Sequence, residues 1–123
     1  MEQIHFPATN TTPLVSFADN KKLVIKGRSI SEHEITFYKP IVAWASKLQL
    51  KILEVDVDVE YANSRSFKKL YQLLNVMDIN PDIKTLIINW YYDEGDDDAL
   101  IKGQIYQESL SKAKFRFIMH TSL

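Results

Sequence analysis

Two serines and an asparagine stand together where a strand pattern gives way to a helix pattern. Asn63, Ser64 and Ser66 are the polar residues of this turn, and the basic residues Arg65 and Lys68 lie among and after them. A helix start is usually complemented by Asp or Glu, because the helix dipole leaves partial positive charge there. Here basic residues follow instead. A phosphate ester on Ser64, with Ser66 as second choice, would supply the missing negative charge of about −1.5 to −2.

The same side chains also fit an ordinary helix cap. Ser and Asn are favoured at N-caps, so a phosphorylation site and an unmodified cap both remain open. A nucleophilic serine is not predicted, because such a serine needs a base beside it. The sequence places none of His5, His33 and His120 next to Ser64.

Carboxylates form the other candidate site. Acidic residues alternate along 54–60, with neighbours on one strand face about 7 Å apart, and residues 93–98 read DEGDDD. These groups could serve a metal-binding or small hydrolytic domain, which is the alternative function. However, residues 93–98 lack the Asp-x-Asp-x-Asp-Gly spacing and the later Glu of an EF-hand loop. No zinc-type histidine spacing is present either. We therefore predict no metal, no cofactor and no catalytic residue.

The strand and helix on either side of the turn are distinguished by the spacing of their apolar residues. Apolar and acidic residues alternate over 54–61, which predicts a strand with one buried face. After the turn, apolar residues recur every three or four positions, which predicts a helix that begins near Asn63 or Ser64. Pro81 should end that helix before Asn80. Its apolar stripe consists of Phe67, Leu70, Leu74 and Met77.

The other elements follow from similar patterns. A helix capped by Ser31 should run to about Leu48, with Pro40 either kinking it or starting a new helix. Another helix follows the acidic loop and ends near Leu110. Residues 1–12 are either an edge strand or a tail. Further strands are predicted at 13–17, 22–26, 84–92 and 114–119, the first two joined by a turn at 18–21.

This element order predicts an α/β fold of the order β-β-α-β-α-β-α-β. We expect a β-sheet of about five strands. The sheet should be mixed, because each of its last two crossovers contains one helix, as parallel connections do. The helices should lie mainly on one face. On the open face, the acids of 54–60 should meet the basic residues of neighbouring strands. Those candidates are Lys22, Lys26, Arg28, Lys114 and Arg116. The layout is analogous to that of anti-sigma-factor antagonists, whose phosphorylated serine also lies at a helix start.

Composition narrows the function further. The 123 residues suit one domain, 1–123. The absence of cysteine excludes disulfides and thiolate metal sites. A net charge of −1 provides no field that would attract nucleic acid or an anionic membrane. No signal-peptide pattern or membrane-length apolar run is found, so a cytoplasmic protein is expected.

With its flanks, the turn resembles the hallmark of the SiaC family of bacterial regulatory phosphoproteins. That hallmark is a strand ending in Tyr, followed by Asn-Thr-Ser-Ser-x-Lys at a helix start. The phosphorylated Thr of the family falls on Ser64, while Arg65 replaces a small Ser. The matching segment is Tyr61-Ala62-Asn63-Ser64-Arg65-Ser66-Phe67-Lys68.

Further points of similarity are spread over most of the chain. Ser31 is a departure, since the family has Pro at that position. The similar segments are Thr12-Pro13, Gly27-Arg28-Ser29 with Glu32, Phe37-Tyr38, Trp44 and Trp90-Tyr91-Tyr92-Asp93.

The resemblance implies a SiaC-like regulatory domain that is not an enzyme. A dedicated protein kinase would phosphorylate Ser64 and a PP2C-type phosphatase would reverse it. The unphosphorylated form would bind an effector such as a diguanylate cyclase, which places the protein in cyclic-di-GMP signalling. Asn63, Arg65, Lys68 and Tyr61 are the residues expected to stabilise the phosphate or contact a partner. Dimerisation through an edge strand such as 13–17 is a third possibility.

Overall fold

Six strands lie side by side in the same order as they occur in the chain. The computed structural model describes residues 3–18, 22–30 and 34–120, except for the side chains of 34, 35 and 61. The strands are β1 (Ile4–Phe6), β2 (Leu14–Phe17), β3 (Lys22–Ser29), β4 (Ile52–Ala62), β5 (Thr85–Asp93) and β6 (Lys114–His120). The first three strands pair antiparallel, and β3 to β6 pair parallel. Each parallel crossover contains one helix: α1 (Glu34–Ser46), α2 (Ser64–Ile79) and α3 (Asp97–Ser109).

The predicted α/β class is confirmed, with one strand more than expected. Residues 4–6 form an edge strand against β2, where Ile4 pairs with Phe17. The alternative of a tail that lies on the domain without pairing as a strand is therefore wrong for that segment. Residues 19–21 of the predicted turn and the predicted cap Ser31 lie outside the described residues.

Helix α1 continues through Pro40. The alternative in which a new helix begins at Pro40 is therefore wrong. Proline removes one hydrogen bond to the carbonyl four residues earlier, but Thr36 and Pro40 are both exposed, so water can reach that carbonyl. The opposite face of α1 buries Tyr38 and Ile41, and this packing holds the helix together across the proline.

The core lies between one face of the sheet and the helices. Along β4, Leu53, Val55 and Val57 are buried while the acids between them are partly exposed. Most of the predicted stripe of α2 is fully buried, and Phe67 is half-buried. Leu70, Leu73, Leu74 and Met77 are the apolar residues of α2 in the core. None of the helices in the described ranges has the length and apolarity needed to cross a membrane.

On the opposite face of the sheet, charged side chains form a network. The Lys22 Nζ lies 3.5 Å from Glu54 and 3.3 Å from Asp56, as the charge pattern predicts. Asn89 donates from its Nδ2 to both carboxylates, at 2.6 and 2.8 Å. The hydrogen bond from Asn89, together with the charges of Lys22 and Arg116, lowers the pKa of Glu54 despite its partial burial. The network thus stabilises Glu54 in its ionised form.

Asp58 pairs with a residue that the charge pattern did not nominate. The His120 Nε2 lies 3.0 Å from the Asp58 Oδ1. The His120 ring also stacks on Tyr91, with centroids 5.3 Å apart. Strand β6 therefore contributes to this acidic row both the His120 ring, which pairs with Asp58, and the charge of Arg116, which acts on Glu54.

Gly103 allows α3 to pack closely on the sheet. A Cβ at this position would lie 2.7 Å from the Trp90 Nε1 and 2.8 Å from the Phe117 ring. We expect Gly103→Ala to lower the free energy of unfolding by about 1–2 kcal/mol, because overpacking outweighs the gain of ~1 kcal/mol in helix propensity. Urea denaturation measures this, with the exposed Gln104→Ala as control. A variant as stable as wild type would show that α3 shifts without cost.

Candidate functional site

The turn between β4 and α2 consists of one residue, Asn63, which is the N-cap of α2. Its backbone is extended, and its Oδ1 accepts a hydrogen bond from the Ser66 N–H at 2.9 Å. Its own N–H donates to the Ser29 carbonyl at 3.3 Å, which ties the turn to the end of β3. The amide of Asn63 thus performs the capping role that the sequence left open among Asn63, Ser64 and Ser66.

Ser64 and Ser66 have opposite environments although they are two residues apart. Ser64 is the first residue of α2 and is exposed. Its Oγ makes no hydrogen bond to any residue that the structure describes. Ser66 is 0% exposed, and its Oγ has no partner within the described part of the chain. A modifying enzyme can therefore reach the Ser64 hydroxyl but not that of Ser66.

The basic residues near Ser64 differ in their position on α2. Arg65 and Lys68 are both exposed, and neither is within 4.0 Å of a carboxylate among residues 3–18, 22–30 and 36–120. Residues four apart share a helix face, whereas neighbours do not. Lys68 therefore shares the face of Ser64, and Arg65 does not. The Tyr61 backbone pairs with Arg28, and its side chain lies outside the described part.

A cleft of about 200 Å³ lies beside this turn, at the carboxyl ends of β4 and β5. It is bordered by the first turns of α2 and α3. The apolar lining is formed by Val59, Ala62, Phe67, Leu70, Trp90 and Ala99, and the charged lining by Glu60, Asp96, Asp98 and Lys102. Small-molecule sites usually enclose about 300–1,000 Å³, so this cleft is better matched to a side chain of a protein partner.

An aromatic cluster connects the first turn of α2 to α3. The Tyr106 ring stacks on Phe67 with centroids 4.7 Å apart, and it contacts Tyr71 and Trp90 at 5.1 and 5.3 Å. The Tyr106 hydroxyl donates to the Phe67 carbonyl. Burial raises the pKa of Tyr106 above its ordinary value, so this hydroxyl keeps its proton. Sequence reasoning missed the cluster, because Tyr106 and Phe67 are 39 positions apart.

The acidic loop 93–98 serves the start of α3. Asp96 is the N-cap, and its Oδ1 accepts from the Ala99 N–H at 3.1 Å. Asp97 and Asp98 lie in the first turn, where they complement the helix dipole. In the described ranges, no group of three His, Asp or Glu side chains is arranged to hold a metal ion. The alternative function therefore gains no support from these acids.

Arg65 and Lys68, the cations that the sequence nominated, lie near the start of α2. The same end of α2 borders the cleft, and we call this region the corner near Ser64. Lys102 of α3, which the sequence did not nominate, lies there too, with its Nζ 5.5 Å from the centroid of the Phe67 ring. The corner thus combines an accessible hydroxyl, several cations and a cleft whose lining is apolar apart from three acids and Lys102.

Comparison with known proteins identifies both the family and the fold. The model of the SiaC family regulatory phosphoprotein matches residues 6–120. A chain in the crystal structure of the diguanylate cyclase SiaD in complex with its activator SiaC from Pseudomonas aeruginosa has a TM-score of 0.80 and 21% identity, covering 95% of this chain and 99% of that chain. Apo-SiaC from the same organism has a TM-score of 0.74 and 21% identity, covering 98% and 100%. The comparison with curated proteins found no match.

Proposed function

The chain belongs to the SiaC family of regulatory phosphoproteins, and from this premise we propose that it is a non-enzymatic, cytoplasmic partner switch controlled by phosphorylation of Ser64. The unphosphorylated form binds an effector protein, and the phosphate weakens that complex. The relative that activates the diguanylate cyclase SiaD supports a diguanylate cyclase as the effector class. The protein would then act in cyclic-di-GMP signalling.

The observation that carries this proposal is the difference between the two serines. Ser64 is exposed at the start of α2, and Asn63 already caps the helix. The Ser64 hydroxyl is therefore available for a covalent modification that leaves the cap intact. The buried Ser66 is not available in the folded protein.

The chemistry is a reversible phosphoryl transfer. A protein kinase moves the γ-phosphoryl group of ATP to the Ser64 Oγ, whose proton is released, and ADP leaves. A PP2C-type phosphatase hydrolyses the ester and restores serine and inorganic phosphate. The phosphate adds a charge of about −1.5 to −2 at pH 7. The free N–H groups and dipole of α2 stabilise this charge on the protein itself.

The phosphate would act on binding through the surface around Ser64. The cleft lies beside it, and an apolar side chain of the effector in that cleft would lose affinity when a strongly hydrated group stands next to it. The exposed Arg65 and Lys68 favour an acidic partner surface. Against such a surface the phosphate adds like-charge repulsion. It also pairs with Arg65 and Lys68, which are then no longer available to the partner.

We expect phosphorylation of Ser64 to weaken effector binding at least tenfold, which corresponds to about 1.4 kcal/mol. Phosphoserine is incorporated at position 64 during translation, and binding to a purified diguanylate cyclase of the same host is measured by calorimetry. Phosphoserine at the exposed Ser109, at the far end of α3, is the matched control. Equal affinity of the Ser64-phosphorylated and unmodified proteins would refute the switch.

Mass spectrometry on protein isolated from its own host tests the site directly. We expect phosphate on Ser64, none on Ser66, and loss of the modification in Ser64→Ala. A phosphate that persists elsewhere in Ser64→Ala, or that is found on Ser66, would contradict the choice of residue.

A further inference from the structure

Lys102 belongs to α3 but lies against the first turn of α2. Its Nζ is 5.5 Å from the centroid of the Phe67 ring. Tyr106, one turn further along α3, stacks on the same ring and donates to the Phe67 carbonyl. Two residues of α3 thus contact Phe67. These contacts hold α3 against the first turn of α2, so Lys102 extends toward α2 from a fixed position.

Phe67 and Ser64 share one face of α2. They are three residues apart, a spacing that brings Cβ atoms to about 5–6 Å from each other. Ala62, two residues before Ser64, lines the same cleft as Lys102. Lys102 and Ser64 therefore lie at the same end of α2, and binding of a Ser64 phosphate requires the flexible lysine side chain to extend from the Phe67 ring toward residue 64.

The ammonium group of Lys102 is also available. Glu60, Asp96 and Asp98 line the same cleft, yet no carboxylate of the described residues is within 4.0 Å of the Lys102 Nζ. Its described partner is the Phe67 ring, and such a contact stabilises by about 0.5–1 kcal/mol at an exposed site and by about 2 kcal/mol when desolvated. An ion pair with a doubly charged phosphate is the stronger interaction. Lys102 is half-buried, so water and salt screen its charge less than those of the exposed Arg65 and Lys68.

We propose that Lys102 is the principal cation of the Ser64 phosphate site and that it leaves the Phe67 ring to bind the phosphate. This inference rests on the proposed function, because it requires the phosphate on Ser64. The movement uncovers Phe67 in the lining of the cleft and changes the charge there. Phosphorylation of α2 would thereby alter a surface to which β4, β5 and α3 also contribute.

The test is a ³¹P NMR titration of protein carrying phosphoserine at position 64. We expect the second pKa of this phosphate to lie below that of phosphoserine at Ser109. Lys102→Met, which keeps the apolar stem, should raise it by at least about half a pH unit. Lys102→Arg should keep it low, and Lys68→Met, which removes the exposed cation on the Ser64 face of α2, should change it less than Lys102→Met. Negative charge in the cleft raises the phosphate pKa, and it comes from Glu60, Asp96 and Asp98. These three acids are present in all the variants, so they do not affect the comparison.

A second measurement follows the lysine itself. The ε-methylene protons of Lys102 should be shifted upfield by the Phe67 ring in the unmodified protein. Phosphorylation should remove that shift. Because this readout uses the intact chain, it does not depend on how well the variants fold.

The outcomes separate the two proposals. If phosphorylation weakens effector binding but Lys102→Met leaves the phosphate pKa unchanged, the inference is overturned and the switch stands. The inference is also overturned if Lys68→Met raises the pKa more than Lys102→Met does. If Lys102→Met raises the pKa but phosphorylation leaves effector affinity unchanged, the proposed function fails while Lys102 is still the phosphate ligand.

Discussion

Asp78→Ala is expected to lower the free energy of unfolding by about 3–4 kcal/mol, because it removes one carboxylate that serves three backbone donors. Asp78 is 6% exposed on α2. Its Oδ1 accepts from the N–H groups of Lys112 and Ala113 at 3.0 and 2.8 Å. Its Oδ2 accepts from the Ser111 N–H at 3.2 Å. The carboxylate therefore fixes the loop that leads from α3 into β6.

The loss should be specific to this carboxylate. Asp82→Ala removes the same group from an exposed position close by, and surface changes of that kind stay within about 0.5 kcal/mol. Asp78→Asn retains one acceptor oxygen and should give an intermediate loss. Urea unfolding monitored by tryptophan fluorescence compares the three. If Asp78→Ala and Asp82→Ala unfold at the same midpoint, the loop does not depend on Asp78.

The loop that Asp78 holds also bears on the proposed site. Helix α3 enters the corner near Ser64 at its start and reaches the Asp78 contacts just after its end. Lys102 and Tyr106 lie between these two points. A loosened loop would let α3 move relative to α2 in the folded protein, so an effect of Asp78→Ala on effector binding would be indirect and would act through the positions of Lys102 and Tyr106.

Sequence periodicity predicted the elements because each element buries one face. The strand predicted at 84–92 is Thr85–Asp93, and the strand predicted at 114–119 is Lys114–His120. The start of α2 was predicted to within a residue, since the change of spacing coincides with a residue that favours an N-cap. The spacing did not separate the exposed Ser64 from the buried Ser66, since both precede Phe67, the first residue of the stripe.

The partners of buried polar groups could not be predicted in this way. Periodicity tells which face a residue occupies, but not which side chain stands opposite in space. Asn89 and Glu54 are 35 positions apart, and so are Asp78 and Ala113. One signal was present for Asp78, because it lies four residues after Leu74 in the apolar stripe of α2. An acid in such a stripe requires buried donors.

Asn89→Asp is expected to be more damaging than Asp78→Ala at neutral pH, because it replaces a shared donor with a third carboxylate. Asn89 is 3% exposed and donates to Glu54 and Asp56, which Lys22 also contacts. Burial acts to lower the pKa of Lys22. The hydrogen bond to Asp56 and the charges of Asp56 and Glu54 outweigh burial, so the pKa of Lys22 is raised. Lys22 already pairs with two acids. A third acid should cost about 3–5 kcal/mol.

The loss of stability in Asn89→Asp should depend on pH, and the contacts of Asn89 determine the direction of that dependence. In wild type, Asn89 lowers the pKa of Glu54, so the stability that Glu54 contributes is present above its unfolded pKa and is lost as pH falls through the lower folded value. In Asn89→Asp, repulsion among the carboxylates raises at least one folded pKa above the unfolded value of about 4. The folded variant then binds more protons than the unfolded chain and gains stability as pH falls. The difference in the free energy of unfolding between Asn89→Asp and wild type, which we call the gap, should therefore narrow as the pH falls from about 8 to about 5.

Urea unfolding across that pH range measures the gap. Asn10→Asp adds the same charge at an exposed position and should show neither the large loss nor the narrowing. A gap that stays constant from about pH 8 to about pH 5 would mean that the new carboxylate does not interact with Glu54 and Asp56. In that case the amide of Asn89 would act only through its two hydrogen bonds, and Asn89→Leu should be as destabilising as Asn89→Asp. If repulsion contributes, Asn89→Asp must be the less stable of the two at neutral pH and must approach Asn89→Leu in acid.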